Sequence, residues 1–153
     1  MHPSRFKHQT QIRVRNYEVD WQGIVHNAVY LLYFEIGRVE YLKDLGIKLD
    51  LNTIQNKARV VLVRNEIDYK SPAHFDELLT LCTRIMYIRN TSFAFEGYIE
   101  EASKNRRIAA NIAVHVWLDS RTGEPMTVSD EFRNMVRRFE GDSVAIIGPT
   151  LYT

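Results

Sequence analysis

Asp20 and the residues that follow it include the side chains of this chain best suited to chemistry on a carbonyl group. The stretch YEVDWQGIVHNAVYLLYFEIGR, residues 17–38, places the Asp20 carboxylate and a glycine ahead of a long apolar run. An aspartate is ionised at neutral pH, so it can attack an electrophilic carbon or activate water. A helix start presents unpaired N–H groups that stabilise an oxyanion. Asp20 and the predicted helix start near Asn27 therefore form a candidate reaction site, unless Asp20 only shapes a turn.

Other residues of this stretch could contribute to the same site. Gly23 would let the loop turn sharply. His26 could bind substrate or tune Asp20, or it could simply cap the helix. Glu35 lies in an otherwise apolar helical run, so its carboxylate is expected either to pair with a cation or to have a functional role. Arg38, three residues further on, has the spacing for an ion pair with Glu35.

Other catalytic chemistries have little support in the sequence. There is no pair of histidines at metal-binding spacing with an acid, no Gly-x-Ser-x-Gly elbow and no glycine-rich phosphate loop. Cys82 lies in the apolar run LLTLCTRIM and is expected to be a small core residue. His115 alternates with apolar residues and is expected to be exposed or interfacial. We therefore predict neither a metal site nor a resident cofactor.

Composition limits the class of protein. Twenty basic and nineteen acidic residues give a formal charge of +1, which does not indicate a nucleic-acid or membrane-surface partner. A single cysteine fits a reducing compartment, so the cytoplasm is expected. The N-terminal residues lack an apolar signal segment, and no run of about eighteen uncharged apolar residues predicts a membrane span. A chain of 153 residues fits one domain, residues 1–153.

The apolar run after Asp20 predicts one long helix over residues 27–45. It contains no proline, has its first charge at Glu35, and is followed by Gly46, a residue suited to the left-handed position after a helix end. Because the run is apolar on nearly every side, we expect the helix to be buried on nearly every side.

The remaining elements are mostly strands. TQIRVR predicts a short first strand, and four longer alternating runs begin at Ala58, Glu77, Ser92 and Arg107. The short connections RNT and KNR predict that the last three strands form an antiparallel meander. SDEFRNMVRRFE predicts a second helix with Ser129 as its N-cap. In the last strand, the predicted core-facing residues are Ile108, Ala110, Ile112, Val114, Val116 and Leu118.

These elements predict an α+β fold in which a curved antiparallel sheet wraps around one long buried helix. A helix of about nineteen residues is ~28 Å long, which matches the width of five or six strands spaced ~4.8 Å apart. The edge strands of such a sheet have unpaired backbone groups, and pairing with a second copy would satisfy them. We therefore expect a homodimer.

Three segments resemble the 4-hydroxybenzoyl-CoA thioesterase family of the hotdog fold. They are YEVDWQGIVHNAVYLLYFEIGRVEYLKDLGI, IDYKSPAHFDELL and NTSFAFEGYI, which lie between residues 17 and 99. The resemblance implies a hotdog fold and hydrolysis of an acyl thioester of coenzyme A or acyl carrier protein by a dimer or dimer of dimers. It aligns Asp20 with the family's catalytic aspartate and Asn27 with the residue whose backbone N–H polarises the thioester carbonyl. Ser92 resembles a position that approaches the site from the partner subunit.

The resemblance also defines the alternatives. Another branch of hotdog thioesterases uses a helical glutamate, which would be Glu35, and His26 departs from the aromatic residue often found at its position. Hydroxyacyl thioester dehydratases carry a Gly-His-Phe-Pro segment that this chain replaces with IVHNAVY, so dehydration is not expected. A non-catalytic acyl-thioester binding module and an acyl-carrier-protein thioesterase remain alternatives. The candidates for binding the coenzyme A phosphates are Arg59, Arg64, Lys70, Arg89, Arg106 and Arg107.

Overall fold

The computed structural model describes residues 3–47 and 58–148 of the chain. Within these residues the longer helices are α1, Val29–Asp44, and α2, Asp130–Glu140. The strands are β1, His8–Arg13; β2, Ala58–Tyr69; β3, Leu78–Ile88; β4, Ser92–Glu101; β5, Arg106–Asp119; and β6, Ala145–Ile146.

The strands form one sheet with the order β1-β3-β4-β5-β2, and β6 pairs with β3 in parallel. β1 runs antiparallel to β3, with His8 opposite Thr83 and Arg13 opposite Leu78. β3, β4 and β5 are neighbours in the order of the predicted meander. β2 ends the strand order, so one of its edges has no neighbour among the described strands.

The chain divides into two compact units, each with its own packing. The first comprises the described residues of Met1–Tyr41, Glu66–Arg84 and Glu96–Asn111. In its core, Tyr30, Tyr33 and Phe34 of α1 pack in one cluster with residues of the sheet and loops. The helix packs tightly against the sheet at Gly37, where a Cβ atom would lie 2.7 Å from Thr83 Oγ1. The cluster's other buried members are Val14, Val25, Ala73, Leu79, Leu81, Ile99, Ile108 and Ala109.

Burial of α1 is one-sided, which corrects the expectation that nearly every side is covered. Its buried residues form one stripe, whereas Leu32 is 57% exposed, Val39 is 37% exposed and Glu35 is exposed. The physical reason is that the sheet of one chain covers only one side of the helix. The helix also starts two residues later than predicted, because the His26 Nδ1 atom accepts the Ala28 N–H at 3.2 Å in the preceding turn.

The second unit comprises Ile85–Phe95 and the described residues of Leu42–Asn65 and Ile112–Thr153. Its core is aromatic: Phe93 contacts the rings of Phe95, Trp117 and Phe132. His115 stacks on Phe93 at 5.4 Å between ring centroids. His115 is therefore half-buried against the phenylalanines rather than exposed, and an interfacial position stays a prediction.

Helix α2 is fixed at its start and along its buried side. Ser129 caps it as predicted, since its Oγ atom accepts the Phe132 N–H at 3.2 Å. Arg133 is only 5% exposed, and its guanidinium donates to backbone carbonyls of three separate segments. Burial lowers the pKa of Arg133. The acceptors are Val128 at 3.0 Å, Arg89 at 2.6 Å, Asn90 at 3.2 Å, Ile147 at 3.5 Å, and Gly148.

Among the described residues, no helix is both long enough and apolar enough to span a membrane.

Candidate active site

Asp20 lies in a tight loop of the first unit. Val19 and Val25 pair across the base of the loop, the Asp20 N–H donates to the Ile24 carbonyl at 2.8 Å, and the Gly23 N–H donates to the Asp20 carbonyl at 3.0 Å. Gly23 has φ +81°, a conformation that favours glycine, in keeping with its predicted place in a sharp turn. The loop therefore holds the Asp20 backbone in one position.

The carboxylate of Asp20 uses one of its two oxygens in a hydrogen bond within the loop. Its Oδ1 atom accepts the Gln22 N–H at 2.8 Å. Within the described part of the chain, no donor bonds its Oδ2 atom. The side chain is half-buried. One carboxylate oxygen is thus available to a ligand.

The turn between the Asp20 loop and α1 presents a second available group. The His26 N–H donates to the Glu18 carbonyl at 3.0 Å, and the His26 carbonyl accepts the Val29 N–H at 2.9 Å. The Tyr69 hydroxyl donates to the Asn27 carbonyl at 2.9 Å. In residues 3–47 and 58–148, no acceptor takes the Asn27 N–H. It is therefore an unpaired donor just before a helix start, where the helix dipole adds positive potential.

A cavity of about 570 Å³ brings these groups together. This volume lies in the range of small-molecule sites. Of the residues predicted from sequence, Asp20, His26, Asn27 and Lys70 line it, and Gly23 lies in the loop that carries Asp20. The full lining is Asp20, Ile24, Val25, His26, Asn27, Tyr30, Tyr69, Lys70, Ser71 and Pro72.

The wall formed by residues 69–73 is tied to α1 by two tyrosines. The Tyr30 hydroxyl accepts the Ala73 N–H at 3.0 Å, and the rings of Tyr30 and Tyr69 meet edge to face at 5.5 Å. The Val25 N–H also donates to the Ala73 carbonyl, at 2.9 Å. Burial raises the pKa of Tyr30, so its hydroxyl stays protonated at neutral pH. The wall and the helix start are therefore held as one assembly.

An ion pair behind the wall fixes it from the other side. Arg106 contacts both carboxylate oxygens of Glu77 at 2.8 and 3.0 Å, and it donates to Ser71 Oγ at 3.1 Å and the Pro72 carbonyl at 2.6 Å. Burial acts to raise the pKa of Glu77, but hydrogen bonds from His74 and Arg106 outweigh it, so the pKa lies below its ordinary value. Arg106 thus supports the wall rather than facing the cavity.

The other cations proposed from sequence differ in position. Lys70 lines the cavity. Arg107 contacts Glu100 at 3.3 Å and stacks on Tyr98, and Arg89 stacks on a neighbouring tyrosine ring. Lys70 is therefore the candidate among the six that faces the cavity.

Besides Gly23, two predicted site residues lie outside the cavity lining. Glu35 is exposed on α1 and makes no direct ion pair with Arg38. The buried Arg38 guanidinium instead donates to Asn111 Oδ1 at 3.3 Å. Burial lowers the pKa of Arg38, and the charge of Glu35 opposes this effect. Ser92 begins β4 in the second unit, where its carbonyl accepts the Arg89 N–H at 2.7 Å.

The structure also bears on the two other catalytic chemistries considered from sequence, a cysteine nucleophile and a metal ion. Cys82 is 1% exposed, and burial raises the pKa of its thiol, so its predicted role as a small core residue is confirmed. In the part of the chain that the structure describes, no cluster of three or more His, Cys, Asp or Glu side chains could hold a metal ion. The groups available to a ligand in the cavity are a carboxylate, an unpaired backbone N–H, an imidazole and an ammonium.

A carboxylate and an unpaired N–H beside a helix start can act together on a carbonyl compound. The carboxylate can attack the carbonyl carbon or activate water, and the N–H can stabilise the resulting oxyanion. On a sheet packed against one long helix, this arrangement is that of a hotdog-fold hydrolase. Residues 14–136 match the family model described as the thioesterase-like superfamily, and the chain belongs to that superfamily.

Relatives and solved structures agree with this assignment. The acyl-acyl carrier protein thioesterase ATL3 of Arabidopsis thaliana is 26% identical over 132 residues, covering 86% of this chain and 68% of its own. The long-chain acyl-CoA thioesterase FadM of Escherichia coli is 28% identical over 130 residues, covering 85% and 97%. Slr0204, a 1,4-dihydroxy-2-naphthoyl-CoA thioesterase from Synechocystis, has the same fold, with a TM-score of 0.78 at 17% identity over 84% of this chain and 93% of that chain.

The predicted α+β hotdog fold and the predicted class of enzyme, a thioester hydrolase, are therefore confirmed. The catalytic roles of Asp20, Asn27, His26, Glu35, Gly23 and Ser92 stay predictions.

Proposed function

We propose that this chain hydrolyses acyl-CoA thioesters to a free acid and coenzyme A in the cavity beside α1. Asp20 is the nucleophile or general base, and the Asn27 N–H is the oxyanion donor. The observation that carries the proposal is that one cavity is lined both by a carboxylate with an uncommitted oxygen and by an unpaired N–H at a helix start. The motifs around both residues support placing the chain in the 4-hydroxybenzoyl-CoA thioesterase branch.

The reaction can follow either of two routes. In one, Asp20 takes a proton from water as the water oxygen attacks the thioester carbon. In the other, the Asp20 carboxylate attacks first, forms a mixed anhydride and releases the thiolate, and water then hydrolyses the anhydride. In both routes the carbonyl oxygen becomes negative and accepts the Asn27 N–H, and cleavage of the carbon–sulfur bond gives the acid and the thiol.

The thiol carrier is proposed to be coenzyme A, used without any resident cofactor. FadM is named an acyl-CoA thioesterase, and Lys70 offers a cation at the cavity wall for an anionic group such as a phosphate. Acyl carrier protein is the alternative carrier, because ATL3 is named an acyl-acyl carrier protein thioesterase. The buried thiol of Cys82 and the absence of any other cysteine support a cytoplasmic location.

The assembly is proposed to be a homodimer or a dimer of dimers, with no nucleic-acid or membrane partner. β2 ends the sheet, and its exposed residues include Val60, Leu62 and Val63. A long apolar edge strand of this kind invites pairing with another strand. Light scattering at micromolar concentration is expected to give at least twice the chain mass, and a monomer would contradict the assembly.

The test of the activity is thiol release from a panel of acyl-CoA and acyl-carrier-protein thioesters by the parent, Asp20→Asn and Glu35→Gln. We expect Asp20→Asn to lose about a hundredfold or more in kcat. Glu35→Gln is expected to keep parental activity. The reverse pattern would move the carboxylate role to α1. Saturable binding of thioesters without any hydrolysis by the parent would instead favour a binding module.

A further inference from the structure

Glu18 is a buried carboxylate at the base of the Asp20 loop. It is 6% exposed, and its two oxygens receive three hydrogen bonds. Oε1 accepts the Tyr33 hydroxyl at 2.9 Å and the Arg15 N–H at 2.8 Å, while Oε2 contacts the Arg15 guanidinium at 2.7 Å. A buried charge persists only with such partners, so they fix where this carboxylate lies.

The backbone of Glu18 closes the loop that its side chain anchors. Its carbonyl accepts the His26 N–H at 3.0 Å, and the following residue, Val19, pairs with Val25. Asp20 lies two residues after Glu18, and Asn27 directly follows His26. Asp20 is therefore two residues from Glu18 in sequence, and Asn27 is one residue from His26, whose N–H the Glu18 carbonyl accepts.

Tyr33 connects this loop to α1. Its side chain is fully buried, and its ring meets that of Tyr30, a cavity residue, edge to face at 6.1 Å. Burial raises the pKa of Tyr33, with the neighbouring Glu18 adding to the effect, so the hydroxyl remains a donor at all ordinary pH values. The bond from Tyr33 to Glu18 joins the loop that carries Asp20 to the helix whose start presents Asn27.

We propose that Glu18 is a positioning residue for thioester hydrolysis: its carboxylate, held by Tyr33 and Arg15, sets the placement of the Asp20 carboxylate relative to the Asn27 N–H. This inference rests on the proposed function. Glu18 does not line the cavity, so it acts through the loop rather than on the substrate. Misplacing a reacting group by about 1 Å can cost up to about a hundredfold in rate.

Glu101 provides a matched control. It is also 6% exposed, and its carboxylate accepts the Ser103 N–H, the Ser103 hydroxyl and the Lys104 N–H at 2.8–3.1 Å. It is the last residue of β4, its carboxylate bonds the turn that leads to β5, and it does not line the cavity. Replacing it removes a comparable set of hydrogen bonds without touching the Asp20 loop.

The experiment measures kcat and KM for acyl-CoA hydrolysis by Glu18→Ala, Glu18→Gln, Tyr33→Phe and Glu101→Ala. We expect Glu18→Ala to lower kcat about tenfold or more and to change KM less than about threefold, because the cavity wall is intact. Glu18→Gln keeps an acceptor for Tyr33 and is expected to restore kcat to within about threefold of the parent. Tyr33→Phe should lower kcat by a smaller factor, and Glu101→Ala should leave it unchanged.

Two further variants separate this inference from the proposed function. In the Asp20→Asn background, Glu18→Ala should lower the residual rate by less than about twofold, because it acts through Asp20. If Glu18→Ala lowers kcat by the same factor in the parent and in Asp20→Asn, the positioning role is overturned. It is also overturned if the kcat of Glu18→Ala is no lower than that of Glu101→Ala. If Glu18→Ala fails to fold, a parental kcat in Tyr33→Phe would overturn it. Parental activity of Asp20→Asn would instead overturn the proposed function itself.

Discussion

Gly37 lies on the side of α1 that packs tightly against the sheet, and replacing it tests how tight this packing is. A Cβ atom at residue 37 would lie 2.7 Å from Thr83 Oγ1 and 3.7 Å from Leu81 Cβ. The second distance is an ordinary contact, whereas the first is too short. Thr83 is 4% exposed and β-branched, so its hydroxyl has little room to move away. The effect of a Cβ atom at residue 37 on stability therefore depends on the Thr83 Oγ1 atom.

Two effects of Gly37→Ala oppose each other. Alanine favours a helix over glycine by about 1 kcal/mol. Overpacking a buried site costs about 1–3 kcal/mol. We expect the second to prevail and the variant to lose about 1–2 kcal/mol of unfolding free energy. In a Thr83→Ala background the close contact is absent, so the same change should stabilise by up to about 1 kcal/mol.

The assay is urea unfolding of the four proteins of this cycle, followed by far-ultraviolet circular dichroism at one protein concentration. We predict that Gly37→Ala lowers the unfolding free energy in the parent and raises it in the Thr83→Ala background. The coupling free energy between the two sites should be about 2 kcal/mol. An equal effect of Gly37→Ala in both backgrounds would refute the packing argument.

Three further predictions concern the support of the site and of α2. Tyr69→Phe removes the bond to the Asn27 carbonyl and should lower kcat about three- to tenfold while costing less than about 1 kcal/mol of stability, measured by steady-state kinetics and urea unfolding. Arg133→Met removes the guanidinium that bonds backbone carbonyls of three segments and should cost about 3 kcal/mol in urea unfolding. Glu77→Gln should destabilise at neutral pH, and its difference from the parent should shrink as pH falls below about 4, because the lowered pKa of Glu77 stabilises the fold only while the group is ionised.

Each of these has a control or a contrary result. Arg137→Met, an exposed change on the same helix, should stay within about 0.5 kcal/mol of the parent. Unchanged kcat in Tyr69→Phe would contradict its role at the helix start. A Glu77→Gln difference that is constant from neutral pH to pH ~3 would contradict the role of the Arg106 pair, because that stabilisation requires the ionised carboxylate.

The local elements were predictable because their signals act within a few residues. Ser129 caps α2, and Gly46 takes φ +92° after α1, both as their residue types indicated. The helix prediction of 27–45 compares with the observed Val29–Asp44. The difference arises from the His26 imidazole, which holds the preceding turn outside the helix.

Long-range choices were not predictable in the same way. Composition marked α1 as apolar all round, but which side is covered depends on where the sheet lies, and Leu32 and Val39 are left exposed. Helical spacing suggested that Arg38 pairs with Glu35. The guanidinium instead bonds Asn111, 73 positions away in sequence, because that acceptor lies in the same buried layer.

The candidate site shows the same division. Asp20, His26 and Asn27 were found together because they are neighbours in sequence. Tyr69 and the Glu77–Arg106 pair reach the site from distant segments, so no local pattern indicated them. In the sequence, Glu18 is an ordinary acidic residue before Asp20. The structure reveals that it is buried and bonded to Tyr33, which is the basis for proposing it as a positioning residue.

The most direct test of the central claim is the backbone amide of Asn27 in isotope-labelled Asp20→Asn protein, followed by nuclear magnetic resonance as an intact acyl-CoA is added. The claim is that the thioester carbonyl accepts this N–H. The Asn27 amide proton should therefore move downfield on saturation, and a thioether analogue that lacks the carbonyl should not move it. An Asn27 signal that stays in place while other cavity residues shift would contradict the account.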